Sequence, residues 1–574
     1  MGISVKNHAE ALIFHTVICA GASQIALMAD EKPPARISHR LFATSRSEMR
    51  ISMEQKSRTQ YSAYNTTVGL ISRLMSIVMG YVVRIVFTRM LSENYVGVNG
   101  LFTDILNVLS LSEMGIETAI SFALYKPIAE NDIEKQKSIM NIYKWFYRFV
   151  AAFVLGAGLL VIPFMDVLIK NKPDIDNLTY IYVLYLINSA ASYLLIYKKT
   201  LLDAHQLKYI GVVAKTVSWI VQDIFQIAVL ILTRNFILYL YIYIAATILS
   251  NIYISKKTDK LYPYVKDKDI KPLDGETKSG IIKNVKAMMM HQVGNVIVNN
   301  TDNLLISAFV GIVSVGKYSN YYLLIGSIRH VMSDAVDGIT ASVGNLGVTE
   351  GAQRVKKIFN AAALFNHWVF GFAAVCLFEL LNPFVELSFG SKYLFEMNVV
   401  FILCVNFYMY GITKTSKIFH NSLGLFWYDR YKAIIEAVIN LSVSLLLVHS
   451  MGVFGIFLGT FVSTAVTTLW VEPYVIYKYH FKESVFPYYL SLLYYFVQTA
   501  AAWGAAHFLC VQAQKILGVN SLIPLMALRL AVVTVTVNVI YLVFNVKSSN
   551  FRFLWDKFIR LVRERKQRGN GETK

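Results

Sequence analysis

Two arginines lie within the apolar stretch 66–90. Arg73 and Arg84 belong to "RLMSIVMGYVVRIVFTRM", which runs from residue 73 to residue 90. An arginine at the centre of a membrane-spanning helix costs roughly 2.5–3.5 kcal/mol on insertion scales. The two are 11 residues apart, which is three helical turns to within about 20°, so a helix places both on one face. We expect this face to border water and hold an anion, because guanidinium is a bidentate donor that suits phosphate and carboxylate. Alternatively, Arg73 reaches the inner membrane surface along its own aliphatic stem.

Other apolar stretches also carry polar residues at helical spacing. Lys215, Gln222 and Gln226 are 7 and 4 residues apart, with Asp223 beside them. For any one such stripe, hydrogen bonding between helices is an equally ordinary use. Several stripes together predict an aqueous cavity whose acids pair with arginines or carry a coupling ion. The residues predicted to line the cavity or take part in coupling are Lys215, Asp223, Asp302, Asp334, Asp337 and Glu113.

The composition is that of a membrane protein. The chain has 574 residues, of which 55% are hydrophobic and only 16% are charged, against about 25% charged in soluble proteins. Apolar stretches of about 20 residues recur, each long enough to cross the hydrocarbon core. The fold class is therefore predicted to be all-α and polytopic. The net charge of +19 does not indicate nucleic acid, because the basic residues cluster between the apolar segments.

Fourteen transmembrane helices are predicted, with both termini on the cytoplasmic side. Under this topology the inner segments after the N-terminal tail carry about 35 lysines and arginines and the outer loops about 7, as the positive-inside rule requires. The spans are predicted at 66–90, 97–124, 145–165, 178–197, 211–232, 236–255, 287–311, 318–343, 360–381, 397–423, 433–449, 453–477, 486–510 and 522–545.

The spans divide into two groups of six and a final pair. A shift of 219 residues aligns the groups weakly and places Val96 and Gly97 on Val315 and Gly316. Six-helix repeats of equal orientation are related by a pseudo-twofold axis along the membrane normal. The predicted parts are a disordered extension or mis-assigned start at 1–52, a first bundle at 53–255, a basic cytoplasmic linker at 256–286, a second bundle at 287–480, two additional helices at 481–545 and a basic cytoplasmic tail at 546–574.

No motif in the sequence predicts catalysis. A phosphate-binding G-x-x-x-x-G-K-[ST] loop, an HExxH motif and a Cys/His cluster are all missing from the sequence, so we expect no enzyme, no cofactor and no metal. A polysaccharide polymerase or membrane glycosyltransferase is disfavoured, because the outer loops are too short to form a soluble domain.

Several stretches resemble one known family. "LSENYVGVNGLF" at 91–102, "LSLSEMGI" at 109–116, "YKPIAEND" at 125–132 and "NTDNLLISAFVGIVSVGKYSNYYLLI" at 300–325 are similar to oligosaccharide repeat-unit flippases. These form the polysaccharide transporter family of the multidrug/oligosaccharidyl-lipid/polysaccharide (MOP) exporter superfamily. The resemblance covers most of residues 60–480.

The resemblance implies two six-helix bundles around a cationic cavity. It implies alternating-access transport of an undecaprenyl-pyrophosphate-linked oligosaccharide across the bacterial cytoplasmic membrane, for capsule, exopolysaccharide or related synthesis. By the same resemblance, Arg73, Arg84 and Arg329 are the hypothetical pyrophosphate ligands, and H⁺ or Na⁺ is the coupling ion. We expect a monomer that contacts glycosyltransferases or a polymerase transiently. An ion-coupled multidrug or cation antiporter and a lipid II flippase remain alternatives, because the fold alone does not choose the substrate.

Overall fold

The computed structural model describes residues 58–557 and 559, except for 111–115, 171–172, 174, 276, 283–284, 286–300, 338–342, 344–350, 426 and 558. The chain divides into two compact units, residues 1–61 and 62–574. The structure describes only residues 58–61 of the first unit, as the first turn of a helix. The predicted extension 1–52 therefore lies outside the described residues, and everything below concerns the second unit.

The first half of the second unit is helical wherever the structure describes it. Asp132 begins the fourth helix by accepting a hydrogen bond from the backbone N–H of Lys135 at 2.9 Å, and Asn235 caps the eighth helix in the same way. Such side chains satisfy the backbone donors that a helix start leaves unpaired. The helices are α1 Arg58–Met90, α2 Glu93–Leu109, α3 Ile116–Ala129, α4 Ile133–Val161, α5 Leu178–Tyr193, α6 Tyr197–Ala204, α7 Lys208–Thr233 and α8 Phe236–Leu261.

The second half begins in a region that is only partly described. Most of the predicted seventh span, 287–311, lies outside the described residues. The described helices are α9 Asp302–Leu305, α10 Ile312–Asp337, α11 Ala352–Phe389, α12 Met397–Ser422, α13 Lys432–Val466 and α14 Thr468–Ile476, and the final pair is α15 Phe486–Leu517 and α16 Leu522–Asn545.

α13 is two antiparallel arms. Gly452 breaks it with φ 55° and ψ −133°, a conformation that glycine adopts readily. Asn440 on the first arm donates to Thr460 on the second at 3.1 Å. A β-carbon on Gly455 would lie 2.6 Å from the carbonyl oxygen of Leu447, so the arms touch along their backbones. This hairpin confirms the predicted separation of the spans 433–449 and 453–477.

The helices confirm an all-α, multi-pass membrane protein. Eight helices among the described residues are long and apolar enough to cross a membrane, or nine if the bent pair α5 and α6 forms one span. The test treats the whole of Lys432–Phe481 as one span, although the break at Gly452 makes it a hairpin. Where one span was predicted at 97–124, the structure has α2 and α3 on either side of residues 111–115.

The two halves meet at the ends that the topology assigns to the outer side. Gly97 on α2 and Gly316 on α10 bring these helices into backbone contact. Lys170, after α4, donates its Nζ hydrogen to the carbonyl oxygen of Phe309 at 2.6 Å. Lys392 lies 3.6 Å from the carboxylate of Glu93. All of these contacts join predicted outer loops or the helix ends beside them, and cavities lie between the halves beyond them.

Two peripheral parts are held by polar contacts. The linker packs on α4, where Lys137 lies 3.3 Å from Asp267 and Ser138 donates to the carbonyl oxygen of Lys271 at 2.6 Å. The final pair packs on α11, where Trp368 donates its indole N–H to Asn538 at 2.8 Å. The final pair is therefore attached to the second half.

Candidate functional site

A cavity of about 620 Å³ lies between the two halves. Its wall combines α1, α2, α7 and α8 from the first half with α9 and α10 from the second. A space bounded by both halves changes shape when the halves move relative to each other, which is the geometry that alternating access requires. Its polar lining includes Arg84, Asn99, Asp104, Asp223, Asp302 and Asn303.

Arg84 is the only arginine among the described residues that lines this cavity. It stands in a stripe on α1 with Ser76 and Gly80, which also line the wall and precede it by two turns and one turn. Its Nε donates across the halves to the side-chain oxygen of Asn320 at 2.6 Å. Its Nη2 is buried and has no hydrogen-bond partner among the described residues. One face of the guanidinium therefore joins the halves, and one amino group remains for a ligand.

A second cavity, of about 250 Å³, adjoins the first and lies in the second half. Asp302, Tyr318 and Tyr322 line both cavities. The guanidinium of Arg329 lies 5.0 Å from the ring centre of Tyr410 and donates to the hydroxyl of Tyr322 at 3.2 Å. The charged residues that line this cavity are Arg329, Lys414, Lys417, Lys432, Glu436 and Asp302. Four cations face two carboxylates, so the second cavity is basic.

Carboxylates border the first cavity on several helices. Asp223 on α7 lines it, as do Asp104 on α2 and Asp302 on α9. Asn303 donates its Nδ2 hydrogen across the halves to Asp104 at 2.6 Å. Asp302 is only 8% exposed, and its Oδ1 has no hydrogen-bond partner among the described residues. The first cavity thus presents both an arginine and acids.

The structure separates the predicted site residues into those at the cavities and those elsewhere. Arg84, Asp223 and Asp302 come together in the first cavity, and Arg329 lies in the second. Lys215 lines a smaller neighbouring cavity of about 290 Å³. Arg73 and Asp334 have exposed side chains and line neither main cavity. Glu113 and the side chain of Asp337 lie outside the described residues.

Some residues of the predicted polar stripes pack helices together. Gln222 donates to Gln226 at 3.2 Å, and Gln226 donates to the carbonyl oxygen of Tyr239 on α8 at 3.1 Å. Their neighbour Asp223 faces the cavity instead. One stripe therefore contains both structural and cavity-lining positions.

The sequence stage overlooked Asp104 and Asn303 at the junction of the halves, and Lys432 and Glu436 in the second cavity. Asp104 carries a recognisable signal, since it follows Gly97 by seven residues and Gly100 by four, the spacing of one helix face. Lys414 and Lys417 appeared only to mark the cytoplasmic end of a span, although both line the second cavity. Sequence spacing gives a face, but the neighbouring helix decides whether that face meets water.

Comparison with known proteins agrees with this architecture. Residues 62–336 match the family model described as "Polysaccharide biosynthesis protein". No curated protein matches the chain significantly. The fold is similar to that of "Lipid II flippase MurJ, inward closed conformation", with a TM-score of 0.57 and 12% identity over 84% of this chain and 98% of that one. It is also similar to an inward-facing multidrug resistance MATE family transporter of the MOP superfamily, with a TM-score of 0.53 and 15% identity over 71% of this chain and 98% of that one.

The family match and the two structural similarities point in the same direction. The matched model covers the whole first half and extends into α10, and the shared fold includes the second half. Both similar structures are of proteins that move molecules across membranes. The chain belongs to the MOP superfamily of flippases and transporters.

Proposed function

We propose that the protein is a flippase for an undecaprenyl-pyrophosphate-linked oligosaccharide repeat unit. It moves this lipid from the cytoplasmic to the outer leaflet of the bacterial cytoplasmic membrane, for capsule, exopolysaccharide or another cell-surface polysaccharide. The observation that carries the proposal is Arg84 in a cavity between the two halves, with its buried Nη2 free of any described partner. A buried guanidinium with an open donor favours an anion that takes a forked hydrogen bond, and pyrophosphate is such an anion.

The second cavity supports a large anionic cargo. Its lining carries Arg329 and three lysines, and it joins the first cavity along Tyr318 and Tyr322. A pyrophosphate held near Arg84 would place its sugars along this wall, where aromatic and amide side chains suit sugar rings. The model match to polysaccharide biosynthesis proteins agrees with a glycan cargo.

Alternating access is the proposed mechanism. The described contacts between the halves lie at the predicted outer ends, which corresponds to a state open toward the cytoplasm with both termini inside. Cargo enters from the inner leaflet, the inner ends close, and the outer contacts separate. H⁺ or Na⁺ coupling supplies the direction. The protein works as a monomer, because each half supplies the other's wall, and it acts as a transporter with transient glycosyltransferase or polymerase partners.

Two other cargoes have specific support. Carboxylates at Asp104, Asp223 and Asp302 line the first cavity, and such groups suit the organic cations of a multidrug antiporter. The similarity to a MATE transporter agrees with that alternative. The similarity to the lipid II flippase makes lipid II a further alternative, because it shares the lipid-pyrophosphate group.

Deletion of the gene tests the proposal. Lipid-linked glycans are extracted from the deletion strain, from the same strain complemented with the wild-type gene, and from one complemented with Arg84→Ala. We expect surface polymer to fall and single repeat units to accumulate on the lipid carrier in the first and third strains. Normal surface polymer with greater sensitivity to cationic drugs would support the antiporter instead. Accumulation of lipid II with cell lysis would identify the cell-wall precursor as the cargo.

A further inference from the structure

Two carboxylates lie where the outer ends of the two halves close against each other. We propose that Asp104 and Asp302, with the amide oxygen of Asn303, bind one monovalent cation, H⁺ or Na⁺, which holds these ends together. The inference deepens the proposed function and rests only on its alternating-access part, not on the identity of the cargo.

The site spans the two halves. Asp104 follows Gly100 by four residues, about one helical turn, and Gly100 packs on Ser319 of α10. Asn303 donates its Nδ2 hydrogen to Asp104 at 2.6 Å, and Asn107 donates to the other oxygen at 3.4 Å. Asp302 adjoins Asn303 in the chain. The cluster therefore lies one turn beyond the tightest contact of the halves, at the outer end of the cavity.

Two oxygens of the cluster are left without a donor. Asp302 and Asn303 are each 8% exposed, and the Oδ1 atom of each is buried with no hydrogen-bond partner among the described residues. Buried acceptors without a donor are costly and uncommon. Both residues line the first cavity, so a bound cation would satisfy the two orphaned oxygens together.

The charges of the cluster are also uncompensated. Within the part of the chain that the structure describes, neither Asp104 nor Asp302 forms an ion pair with a lysine, arginine or histidine. Arg84 lines the same cavity, but its Nε hydrogen goes to Asn320. Two buried carboxylates without a counter-charge are strongly unfavourable, and a proton or a bound cation removes the cost.

The donor set favours a monovalent ion. The described residues contain no group of three or more His, Cys, Asp or Glu side chains placed to hold a metal ion. Divalent ions are ordinarily held by larger sets of oxygen ligands. Two carboxylates and an amide oxygen suit Na⁺, and a proton between the carboxylates gives the same neutralisation.

The consequence is a direction of coupling. With the cation bound, Asn303 and Asp302 stay against Asp104 and the outer ends remain closed. When the cation leaves toward the cytoplasm, repulsion between the carboxylates favours separation of the outer ends. An ion shifts a conformational equilibrium only through its different affinity for the two states, and here the closed outer state holds it more tightly. An ion entering from outside would therefore return the emptied transporter to the inward-facing state.

Other charged or titratable groups face this region from every packed element, and the test must separate them from the cluster. Arg84 lies on α1, Asp223 on α7, Tyr318 and Tyr322 on α10, and Lys432 and Glu436 on α13. His449, also on α13, packs on Phe309 with ring centres 5.2 Å apart. His449 titrates near neutral pH when unperturbed, so it is replaced by glutamine in every protein measured.

Distances across the outer ends test the inference without any cargo. Spin labels are attached at cysteines replacing Ser92 and Ser391, which are both exposed, in a chain whose native cysteines are replaced by serine. The protein is placed in lipid nanodiscs, and the distance distribution is measured by pulsed electron resonance. One series lowers the pH from 8 to 5 in potassium buffer. The other holds pH 8 and replaces K⁺ with Na⁺.

A bound proton predicts a several-fold rise of the short-distance population as the pH falls, and a bound Na⁺ predicts the same rise when Na⁺ is added. Asp302→Asn and Asp104→Asn remove the uncompensated charge, so the short distance should persist under all conditions. Asp334→Asn is the matched control, because Asp334 is exposed, and it should respond as the unsubstituted protein does.

Two results would overturn the inference: a distance that ignores both ions, or an Asp302→Asn protein that responds like the control. Because no lipid-linked glycan is present, either result leaves the proposed cargo untouched. Conversely, a gate that responds as expected in a strain with normal surface polymer would separate a correct ion site from a wrong cargo.

Discussion

Gly97 and Gly316 pack against each other where the two halves of the chain meet. A β-carbon on Gly316 would lie 3.0 Å from the backbone nitrogen of Gly97. The two glycines are 219 residues apart, the shift that aligns the halves in sequence. Gly97 packs on the carbonyl of Ile312, and Gly316 packs on the carbonyl of Glu93, which are again 219 residues apart. Contacts repeated in both directions are the mark of a twofold relationship, so the weak sequence repeat has a direct structural counterpart.

A side chain at Gly316 should keep the outer ends apart. In Gly316→Leu the new atoms meet the backbones of Glu93 and Gly97, which cannot move aside as a side chain can. We expect disulfide formation between Glu93→Cys and Lys392→Cys to fall several-fold. Gly156→Leu is the matched control, since nothing lies within 4 Å of its β-carbon position. Equal cross-linking in both variants would show that the outer ends tolerate the added volume.

Arg84 and Arg73 form a matched pair on one helix. Arg84→Ala removes a charged donor from the cavity, and such a hydrogen bond is worth about 1.5–3 kcal/mol. Transport of a fluorescent lipid-pyrophosphate glycan in proteoliposomes should fall on the order of 10- to 100-fold. Arg84→Lys should recover only part of the activity, because the forked geometry is lost. Arg73→Ala should transport normally, since Arg73 is exposed and lines neither main cavity. Reversed sensitivities would place the anion site elsewhere on α1.

The final pair of helices should depend on one buried carboxylate. Glu379 on α11 is 2% exposed, lies 2.6 Å from Nδ1 of His507 on α15 and lies 3.5 Å from Nη1 of Arg529 on α16. Arg529→Met leaves this charge without its arginine, which typically costs about 3–5 kcal/mol. Thermal unfolding in detergent should show a clear loss of stability, and the double variant Glu379→Met/Arg529→Met should recover much of it. Lys515→Met, at an exposed position on α15, is the control. A double variant less stable than either single variant would contradict this account.

Acid should release the linker from α4. The backbone N–H of Thr277 donates to Asp274 at 2.8 Å and the Lys135 ammonium lies 3.4 Å away, so the pKa of Asp274 is lowered to about 2. A carboxyl whose pKa is lowered by folding stabilises the folded linker above its unfolded pKa of about 3.9. That contribution disappears as the pH falls through about 2.

Pepsin measures this release, because it remains active in acid. Cleavage within 262–282 should be slow at pH 4 and accelerate toward pH 2 in the unsubstituted protein. Asp274→Asn should be cleaved faster already at pH 4, and the two proteins should converge near pH 2. Asp269→Asn, at an exposed position in the same linker, is the comparison at each pH. Identical cleavage of the Asp274 and Asp269 variants would show that Asp274 does not hold the linker.

The sequence by itself determined the membrane class, most helix positions and the division into two similar halves. Hydrophobic length is a local property, so α16 at Leu522–Asn545 coincides with its predicted span. The hairpin at Gly452 was also predicted, because a short polar interruption separates two long apolar runs. The family resemblance was likewise visible in short stretches such as 91–102, and the match over 62–336 confirms it.

Only the tertiary structure decided which polar residues face water together. Arg73 and Arg84 share a helix face in the sequence, yet only Arg84 reaches the cavity, because α10 meets α1 at Asn320. Asp104 and Asn303 are 199 residues apart, and no local periodicity joins them. Spacing along a helix fixes direction, but the partner that faces each side chain comes from the packing of the other half. The pairing of distant charges, and with it the chemistry of the site, is a property of the closed outer ends.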